Sequence, residues 1–190
     1  MGNGNDQVAA LKRIIEITAA LNSTLNLDEL LQLIMSSASE LLNAETSSLL
    51  LLDEESGDLV IHVATGTPGE QVERRHVPAG QGIAGAVLES GNAENVADAK
   101  SDSRFYQVMD EATGFETKNM LALPLKSRDQ TIGVVEVINK RDGAFTDDDE
   151  ALAGALANQA AIAIDNARLY AKLADAVVGA RMSYRLSRTR

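Results

Sequence analysis

Residues 120–150, MLALPLKSRDQTIGVVEVINKRDGAFTDDDE, combine two apolar runs, a polar loop and an acidic segment. An apolar run at 120–125 and a Val/Ile-rich run at 131–138 are separated by a short polar segment, which is the pattern of an antiparallel β-hairpin. After a loop, Thr146 is suited to cap a helix, because the acidic residues that follow would lie in the first turn, where the helix dipole favours negative charge. The stretch therefore predicts a hairpin, a loop and the start of a helix.

The second apolar run of this stretch also predicts how its side chains are distributed. Successive side chains of a strand point to opposite faces, so Ile132, Val134 and Ile138 should share one face with Glu136. The valines between them should point to the other face. Both faces are then largely apolar, and we expect other elements to cover the strand on both sides.

The composition of the chain is that of a helix-rich α+β domain with an aliphatic core. Its 190 residues are 45% hydrophobic but only 3% aromatic. The net charge of −11 and the pI near 4.6 argue against nucleic acid or an anionic membrane as the main partner. No apolar run approaches the roughly 18 residues of a membrane span, and the start of the chain lacks a signal-peptide layout. We therefore expect a cytoplasmic protein.

The chain divides into four segments by composition and periodicity. Residues 1–6, rich in Gly and Asn, are predicted to be a disordered start. A helical stripe of apolar residues predicts an N-terminal dimer or bundle helix within 7–25. The domain itself is assigned to 26–174, including the start of a long helix at about 149–178. Residues 175–190 turn basic and are predicted to extend that helix as a linker to an output domain that the chain does not contain.

Two strands are predicted in the first half of the domain. A helix at 26–42 precedes an apolar strand at 47–52, whose four consecutive leucines predict a central place in the sheet. In the strand that follows, alternation predicts that Leu59, Ile61 and Val63 share one face.

Several pieces of the sequence resemble the GAF domain family, a small sensory fold related in layout to PAS domains. They are Leu-Pro-Leu at 123–125, Ile-Gly-Val at 132–134, the Ala-rich helix after Phe145 and the glycine-rich segment AGQGIAGAV at 79–87. The resemblance implies an α+β fold with an antiparallel sheet of about six strands, helices on both sides, and long N- and C-terminal helices.

A narrower motif lies within this resemblance. GAF domains of cyclic-nucleotide phosphodiesterases and cyclases carry Asn-Lys, a gap, Phe, three residues and Asp-Glu. Here these residues are Asn139, Lys140, Phe145, Asp149 and Glu150. The resemblance implies that Lys140 and Asp149 form a salt bridge that braces the ligand pocket without contacting the ligand. The alternative is that the acidic residues are ordinary first-turn residues of a helix.

The glycine-rich turn is the first candidate for ligand binding. Such a turn at a helix N-terminus exposes backbone donors, so Gly82, Ile83 and Ala84 could hold a phosphate group. The turn is neither a P-loop nor a dinucleotide fingerprint. The alternative is that its glycines only permit a tight turn and close packing of the helix on the sheet. The resemblance favours the ligand, because nucleotide-binding GAF domains hold theirs between the sheet and the short helices after this turn.

The segment after the turn supplies the other candidates. Phe105 could stack on a nucleobase, and the carboxylate of Asp98 or Asp102 could accept hydrogen bonds from the edge of that base. Ser101 is a further candidate for ligand binding in this segment. The alternative is that Ser101 or Asp102 caps a short helix and Phe105 plugs the core.

Catalysis and metal binding find no support in the sequence. The chain has no cysteine, which excludes a bilin-attaching GAF domain, a GAF domain that reduces free methionine sulfoxide, and a thiolate metal site. The two histidines, His62 and His76, are expected to be packed residues rather than haem ligands. We therefore predict a non-enzymatic domain without a metal or cofactor.

The two end helices carry the prediction of assembly. Apolar residues recur at spacings near 3.5 residues in both, and the polar residues Gln159 and Asn166 lie on or beside the second seam, where they could set the register of a coiled coil. We expect a homodimeric sensory module that relays binding of a small molecule, possibly cyclic AMP or cyclic GMP, to a downstream output domain. The alternatives are a sensor of another metabolite and a ligand-free scaffold for dimerisation and protein interaction.

Overall fold

The computed structural model describes residues 27–66 and 74–187, with side chains of the last helix described as far as Tyr170 and at Leu173. Its elements, in chain order, are α1 (Leu27–Leu41), β1 (Ala44–Leu52), β2 (Leu59–Ala64), β3 (His76–Val77), α2 (Gly82–Ser90), β4 (Glu94–Val96), a 3₁₀ helix (Ala99–Ser101), α3 (Val108–Thr113), β5 (Met120–Ser127), β6 (Gln130–Lys140) and α4 (Asp147–Ser187). The predicted disordered start at 1–6 and the predicted helix at 7–25 lie outside the described residues.

The six strands form one antiparallel sheet in the order β3-β2-β1-β6-β5-β4. The predicted α+β class and six-stranded antiparallel sheet are thereby confirmed. Strand β1, which contains the four leucines, lies beside β6 at the centre of the sheet, as its continuous apolar run predicted. Other elements therefore cover this central pair of strands on both faces.

The sheet separates two clusters of buried residues. The first, which we call the helix-side core, lies under α1 and α4 and includes Leu31, Leu121 and Leu156. The second, the cavity-side core, lies on the opposite face under α2 and the segment that leads into α3, and includes Leu50 and Val134. The long helices and the short helices thus cover different faces of the sheet.

The predicted hairpin is present, but one of its side chains lies on the face opposite to the prediction. Leu125 pairs with Gly133 and Lys126 pairs with Thr131, so Ile132 is the extra residue of a β-bulge. Ile132 consequently packs in the helix-side core, whereas Val134 packs in the cavity-side core. The prediction that the two share a face was wrong, because the bulge interrupts the alternation.

A second bulge corrects the prediction for β2. Leu49 pairs with Val63 and Leu50 with Ile61, which leaves His62 as the extra residue. Val63 therefore packs in the helix-side core, while Ile61 packs in the cavity-side core. The exposed His62 instead places Nε2 3.1 Å from Oδ1 of Asp28 at the start of α1.

Helix α4 begins with the N-cap that the sequence predicted. The backbone N–H of Asp149 donates to Oγ1 of Thr146 at 3.3 Å, and the backbone N–H of Thr146 donates back to the Asp149 carboxylate at 2.8 Å. This reciprocal arrangement is a capping box with Asp in place of Glu. The helix continues without interruption for 41 residues to Ser187, which is further than the 149–178 expected.

Candidate ligand-binding site

Two adjoining cavities lie between the sheet and the helices α2 and α3. Their volumes, including open solvent at their mouths, are about 500 and 460 Å³. Both are lined by residues of the sheet and by residues of the covering segment, and the shared ones are Ile61, Met109, Asp110, Thr117, Glu136 and Ile138. We treat them as one candidate site with two lobes.

Glu136 is the ionisable group on the floor of this site. It lies on β6 among aliphatic residues, and its side chain borders both lobes. Oγ of Ser48 donates a hydrogen bond to its Oε2 at 3.0 Å. Desolvation in this partly buried position raises the pKa of Glu136 to about 7, and the bond from Ser48 only partly offsets this. Near neutral pH the group can therefore either donate or accept.

The start of α2 forms one wall of the first lobe. Gly82, Ile83 and Ala84 all line it, and Gln81 at the N-cap position makes no side-chain capping bond within the described residues. The first-turn N–H groups of a helix have no intrahelical acceptor, and the dipole favours an anion there. The packing alternative also holds, because a Cβ on Gly85 would lie 2.7 Å from the backbone carbon of Gly80.

An aromatic and thioether wall faces the helix start across the first lobe. Phe105, Tyr106 and Met109 line the lobe and pack against the cavity-side core while staying partly accessible. Phe105 also borders a groove on the outer surface. The structure therefore brings Phe105 together with Gly82, as the sequence predicted for a ligand site.

The polar candidates Asp98, Ser101 and Asp102 lie outside both lobes. Oγ of Ser101 donates to the backbone carbonyl of Asp98 at 3.0 Å. The carboxylate of Asp102 accepts hydrogen bonds from the guanidinium of Arg104, which holds the pKa of Asp102 down to about 2. Arg104 in turn binds both carboxylate oxygens of Glu94 at 3.1 Å. These residues form a surface ion-pair cluster rather than a wall of the cavity.

Neither Ser101 nor Asp102 caps the start of a helix, but Asp102 is the C-cap of the 3₁₀ helix, where its backbone N–H donates to the carbonyl of Ala99 at 3.2 Å. The residue at the N-cap position of the 3₁₀ helix is Asp98, and that of α3 is Gln107. Asp102 also closes a local turn, because its Oδ1 accepts from the backbone N–H of Arg104 at 2.9 Å.

The Lys-Asp pair of the motif joins the end of β6 to the start of α4. Nζ of Lys140 lies 2.7 Å from both carboxylate oxygens of Asp149, and each side chain is 14% exposed. Burial disfavours the charged form of Asp149, but hydrogen bonds from Lys140 and Thr146 outweigh it and lower the pKa. Nζ of Lys140 also lies 5.8 Å from the ring centre of the buried Phe145. Glu150 contributes its backbone N–H to the first turn, at 3.0 Å from the carbonyl of Thr146.

Asn139 connects the same motif to the cavity. The residue is only 2% exposed. Its side-chain amide binds the backbone of the segment before β5 at two points. Oδ1 accepts from the N–H of Lys118 and Nδ2 donates to the carbonyl of Glu116, both at 2.7 Å. Nδ2 also donates to Oε2 of Glu45 at 3.0 Å. The residue between the two anchored positions is Thr117, which lines both lobes. The motif therefore holds a wall of the cavity without lining it.

The lining residues that sequence reasoning missed include Tyr106, Met109, Asp110, Thr117 and Glu136. For Glu136 a signal existed, because it is the single acidic residue in the apolar run 131–138, and a buried acid in such a run calls for a reason. The other four lie in a polar, irregular stretch that carries no such signal. The two histidines line neither lobe; Nδ1 of His76 lies 3.4 Å from Asp58.

Comparison with known families now adds to this geometry. The sequence model of the GAF domain matches residues 26–164 of the chain. The chain belongs to the GAF domain family. GAF domains are sensory and regulatory modules, and the match accounts for the sheet, the cavity and the motif together.

The curated relatives of this GAF domain include cyclic-nucleotide phosphodiesterases. It is 32% identical over 157 residues to the probable 3',5'-cyclic phosphodiesterase pde-5 of Caenorhabditis elegans, covering 78% of this chain and 22% of that protein. It is 33% identical over 174 residues to the dual 3',5'-cyclic-AMP and -GMP phosphodiesterase 11 of Drosophila melanogaster, covering 84% of this chain and 12% of that protein. The chain thus spans less than a quarter of the length of these relatives.

Solved GAF structures share the fold. The GAF domain of a phosphoenolpyruvate-protein phosphotransferase from Coxiella burnetii superposes with a TM-score of 0.77 at 26% identity, covering 86% of this chain and 96% of that one. A free methionine-R-sulfoxide reductase from Neisseria meningitidis, in complex with its substrate, gives a TM-score of 0.73 at 16% identity over 90% of this chain and 96% of that one. The second likeness is one of fold alone.

Residues 27–66 and 74–187 contain neither a membrane-spanning helix nor a candidate metal cluster. No helix in these ranges is both long enough and apolar enough to cross a lipid bilayer. The same residues contain no cluster of three or more His, Cys, Asp or Glu side chains suited to a metal ion.

Proposed function

We propose that this GAF domain senses a cyclic purine nucleotide in the two-lobed cavity and relays its binding through α4 to an output domain. The observation that carries the proposal is the combination of groups around one space. An uncapped helix start, an aromatic wall and a carboxyl group that titrates near neutral pH surround the same cavity. These groups match the phosphate, the base and the polar edge of such a ligand.

Each part of the ligand finds a chemical counterpart. The first-turn N–H groups of α2 suit the cyclic phosphate, and the ring of Phe105 or Tyr106 suits stacking on the base. Glu136, when ionised, accepts from the N–H groups of guanine. When protonated, it donates to a ring nitrogen of adenine and accepts from the amino group. One carboxyl group can therefore serve either base.

The relatives support this ligand class. The Drosophila protein is named as acting on both cyclic AMP and cyclic GMP. Those relatives are much longer than this chain, so their catalytic activity is not carried over to it. The role proposed here is regulatory and non-enzymatic.

A contiguous set of bonds supports the relay. Thr117 of the cavity wall lies between Glu116 and Lys118, whose backbone groups Asn139 binds. Lys140, which follows Asn139, binds Asp149 in the first turn of α4. A ligand that fixes this wall would favour one position of the helix start over another, and its effect is limited by its difference in affinity for the two states. The same bonds make the motif a brace between cavity and output helix.

The output helix also offers a surface for a second copy of the chain. Ile162, Leu169 and Leu173 are each about half exposed, and together with Asn166 they recur at the alternating spacings of three and four residues of a coiled-coil seam. Tyr170 beside them is 71% exposed. This seam faces away from the helix-side core, so the helix can pack on its own sheet and on a partner copy at once. We propose a parallel homodimer formed by α4.

The ligand is tested by thermal unfolding during titration with cyclic AMP and cyclic GMP. A ligand at 100 times its dissociation constant adds about 2.7 kcal/mol of apparent stability, which raises the Tm of a domain of this size by about 5–10 °C. Phe105→Ala should reduce the shift directly and Asp149→Ala indirectly. Asp102→Asn lies outside the cavity and should leave it unchanged.

The opposite outcome is equally clear. If neither nucleotide moves the unfolding transition and calorimetry records no heat, the cyclic-nucleotide proposal fails. The remaining candidates are then a sensor of another small metabolite and a ligand-free scaffold. The exposed seam of α4 favours the scaffold, because dimerisation needs no ligand in the cavity.

A further inference from the structure

Helix α3 is the thin wall between the cavity and the outer surface. Met109 and Asp110 line both lobes on its inner side, and Asp110 and Glu111 also line a groove on its outer side. None of the six residues of α3 is buried. A segment with so little apolar contact belongs to the part of a domain that opens at low cost.

Among residues 27–66 and 74–187, one pair of side-chain bonds ties this wall to the rest of the domain. The carboxylate of Asp110 accepts from the backbone N–H of Thr117 and from its Oγ1–H, both at 2.7 Å. Thr117 is 3% exposed and is held from its other side through Asn139. The carboxylate is therefore anchored on a fixed segment, while the helix that carries it is not.

The end of α3 has the properties of a hinge. Gly114 follows the helix with φ of 70°, and a Cβ built there would meet no atom within 4 Å. Its N–H closes the helix by donating to the carbonyl of Asp110 at 2.8 Å. The chain can rotate at this glycine without displacing a packed neighbour.

We propose that α3 is a lid, that the bonds from Thr117 to the Asp110 carboxylate are the latch that holds it shut, and that the lid opens to admit the ligand. The identity of that ligand rests on the proposed function; the latch itself does not. In the closed position the lid separates the cavity from solvent at Met109 and Asp110. Releasing the latch widens the access to Glu136 and the aromatic wall without disturbing the sheet.

The test is amide hydrogen exchange of the ligand-free protein, followed by NMR. The reporter is the N–H of Gly114, because its acceptor is a backbone carbonyl that side-chain substitution leaves in place. Asp110→Ala should speed its exchange at least about tenfold, and Thr117→Val, which removes one of the two bonds, should speed it less. Asp110→Asn, which keeps an acceptor for the N–H of Thr117, provides a milder variant should Asp110→Ala fold poorly.

Two controls keep the result specific. Glu111→Ala removes the same charge from the same helix without touching the latch, so it should leave the exchange of Gly114 as in the unsubstituted protein. The amide of Val135 in central β6 should not change in any variant. Equal rates at Gly114 in Asp110→Ala and Glu111→Ala overturn the latch. A matching increase at Val135 overturns it too, since Asp110 would then support the whole fold.

Repeating the exchange measurement with a cyclic nucleotide distinguishes the latch from the proposed nucleotide binding. Millimolar cyclic GMP or cyclic AMP should slow exchange at Gly114 in the unsubstituted protein. If the nucleotide raises the Tm but leaves exchange at Gly114 unchanged, α3 is not the lid of the binding site. If neither nucleotide binds while Asp110→Ala still opens α3, the nucleotide proposal fails and the latch stands.

Discussion

At the scale of single residues, Gly85 and Gly154 both lie within helices but meet different neighbours. A Cβ on Gly85 would lie 2.7 Å from the backbone of Gly80, whereas one on Gly154 would lie 3.8 Å from a methyl group of Leu123. Gly85→Ala should therefore destabilise the domain by about 1–3 kcal/mol. Gly154→Ala should stabilise it by up to about 1 kcal/mol, because alanine favours the helix. Urea unfolding of both variants measures the difference, and equal effects would contradict this account of the glycine turn.

Glu136 should make the stability of the domain depend on pH. Its pKa is raised from an ordinary 4.5 to about 7 in the folded protein, so the folded state holds a proton that the unfolded state has lost between these values. The contribution of Glu136 to the free energy of unfolding therefore falls by about 3 kcal/mol at most as pH rises from about 4.5 to 7. It stays low at higher pH. Glu136→Gln, which removes the ionisation, should be more stable than the unsubstituted protein at pH 8 and similar near pH 5.

Urea midpoints at pH 5, 6, 7 and 8 follow this prediction. Glu45→Gln is a suitable comparison, because it removes an acid from the strand next to β6 outside both lobes. A difference between Glu136→Gln and the unsubstituted protein that stays constant across the four pH values would mean that Glu136 is ordinarily solvated. It could not then switch between donor and acceptor near neutral pH.

Part of the site was predictable at the residue scale. Family spacing and chemistry led to Gly82 and Phe105, and the structure places both at the cavity. Asp98 and Asp102 are also acids beside a glycine-rich turn, and nothing local distinguishes them from a ligand carboxylate. What decides the environment of Asp102 is Arg104, whose guanidinium also binds Glu94 on a neighbouring strand. That contact depends on the folded chain and is not encoded in spacing.

At the scale of elements, the sequence predicted strands well and their faces less well. The hairpin, the central position of β1 and the cap of α4 each follow from local patterns. The alternation failed after Ile132 and at His62, because one extra residue moves every later side chain to the opposite face. Gly133 beside the first bulge was a cue: a Cβ there would lie 2.2 Å from the carbonyl oxygen of Leu50. The sequence shows that glycine but not the partner strand that requires it.

The joint between β6 and α4 leads to a prediction on two lysines. Lys140 and Asp149 are each 14% exposed, whereas Lys100 and Glu116 are 56% and 61% exposed. Lys140→Ala leaves a half-buried carboxylate without its cation and should cost about 1–3 kcal/mol, between the values for surface and buried pairs. Lys100→Ala should cost much less, because solvent and salt screen an exposed pair. Urea unfolding measures the loss of stability in both variants. A loss for Lys140→Ala no larger than that for Lys100→Ala would mean that the pair of Lys140 and Asp149 does not brace this joint.

At the scale of the whole molecule, the seam of α4 predicts assembly. Light scattering should give twice the chain mass at micromolar concentration. The double substitution Leu169→Asp and Leu173→Asp places four acids in the seam of a dimer and should give the mass of one chain. Arg168→Asp, next to the seam, is the control and should remain dimeric. A single-chain mass for the unsubstituted protein, or a dimer that survives the double substitution, would count against the coiled coil.

Because α4 is one continuous helix, it can carry a tilt of its packed end to its far end. Its last fully packed part ends near Ile164, and the helix continues to Ser187. At 1.5 Å per residue, the part of α4 beyond Ile164 is about 35 Å long. A tilt of about 10° at the packed end therefore sweeps the far end through about 6 Å, provided this part stays straight. A change at the joint too small to disturb the core could in this way be amplified into a displacement as large as a helical turn at the point where an output domain would attach.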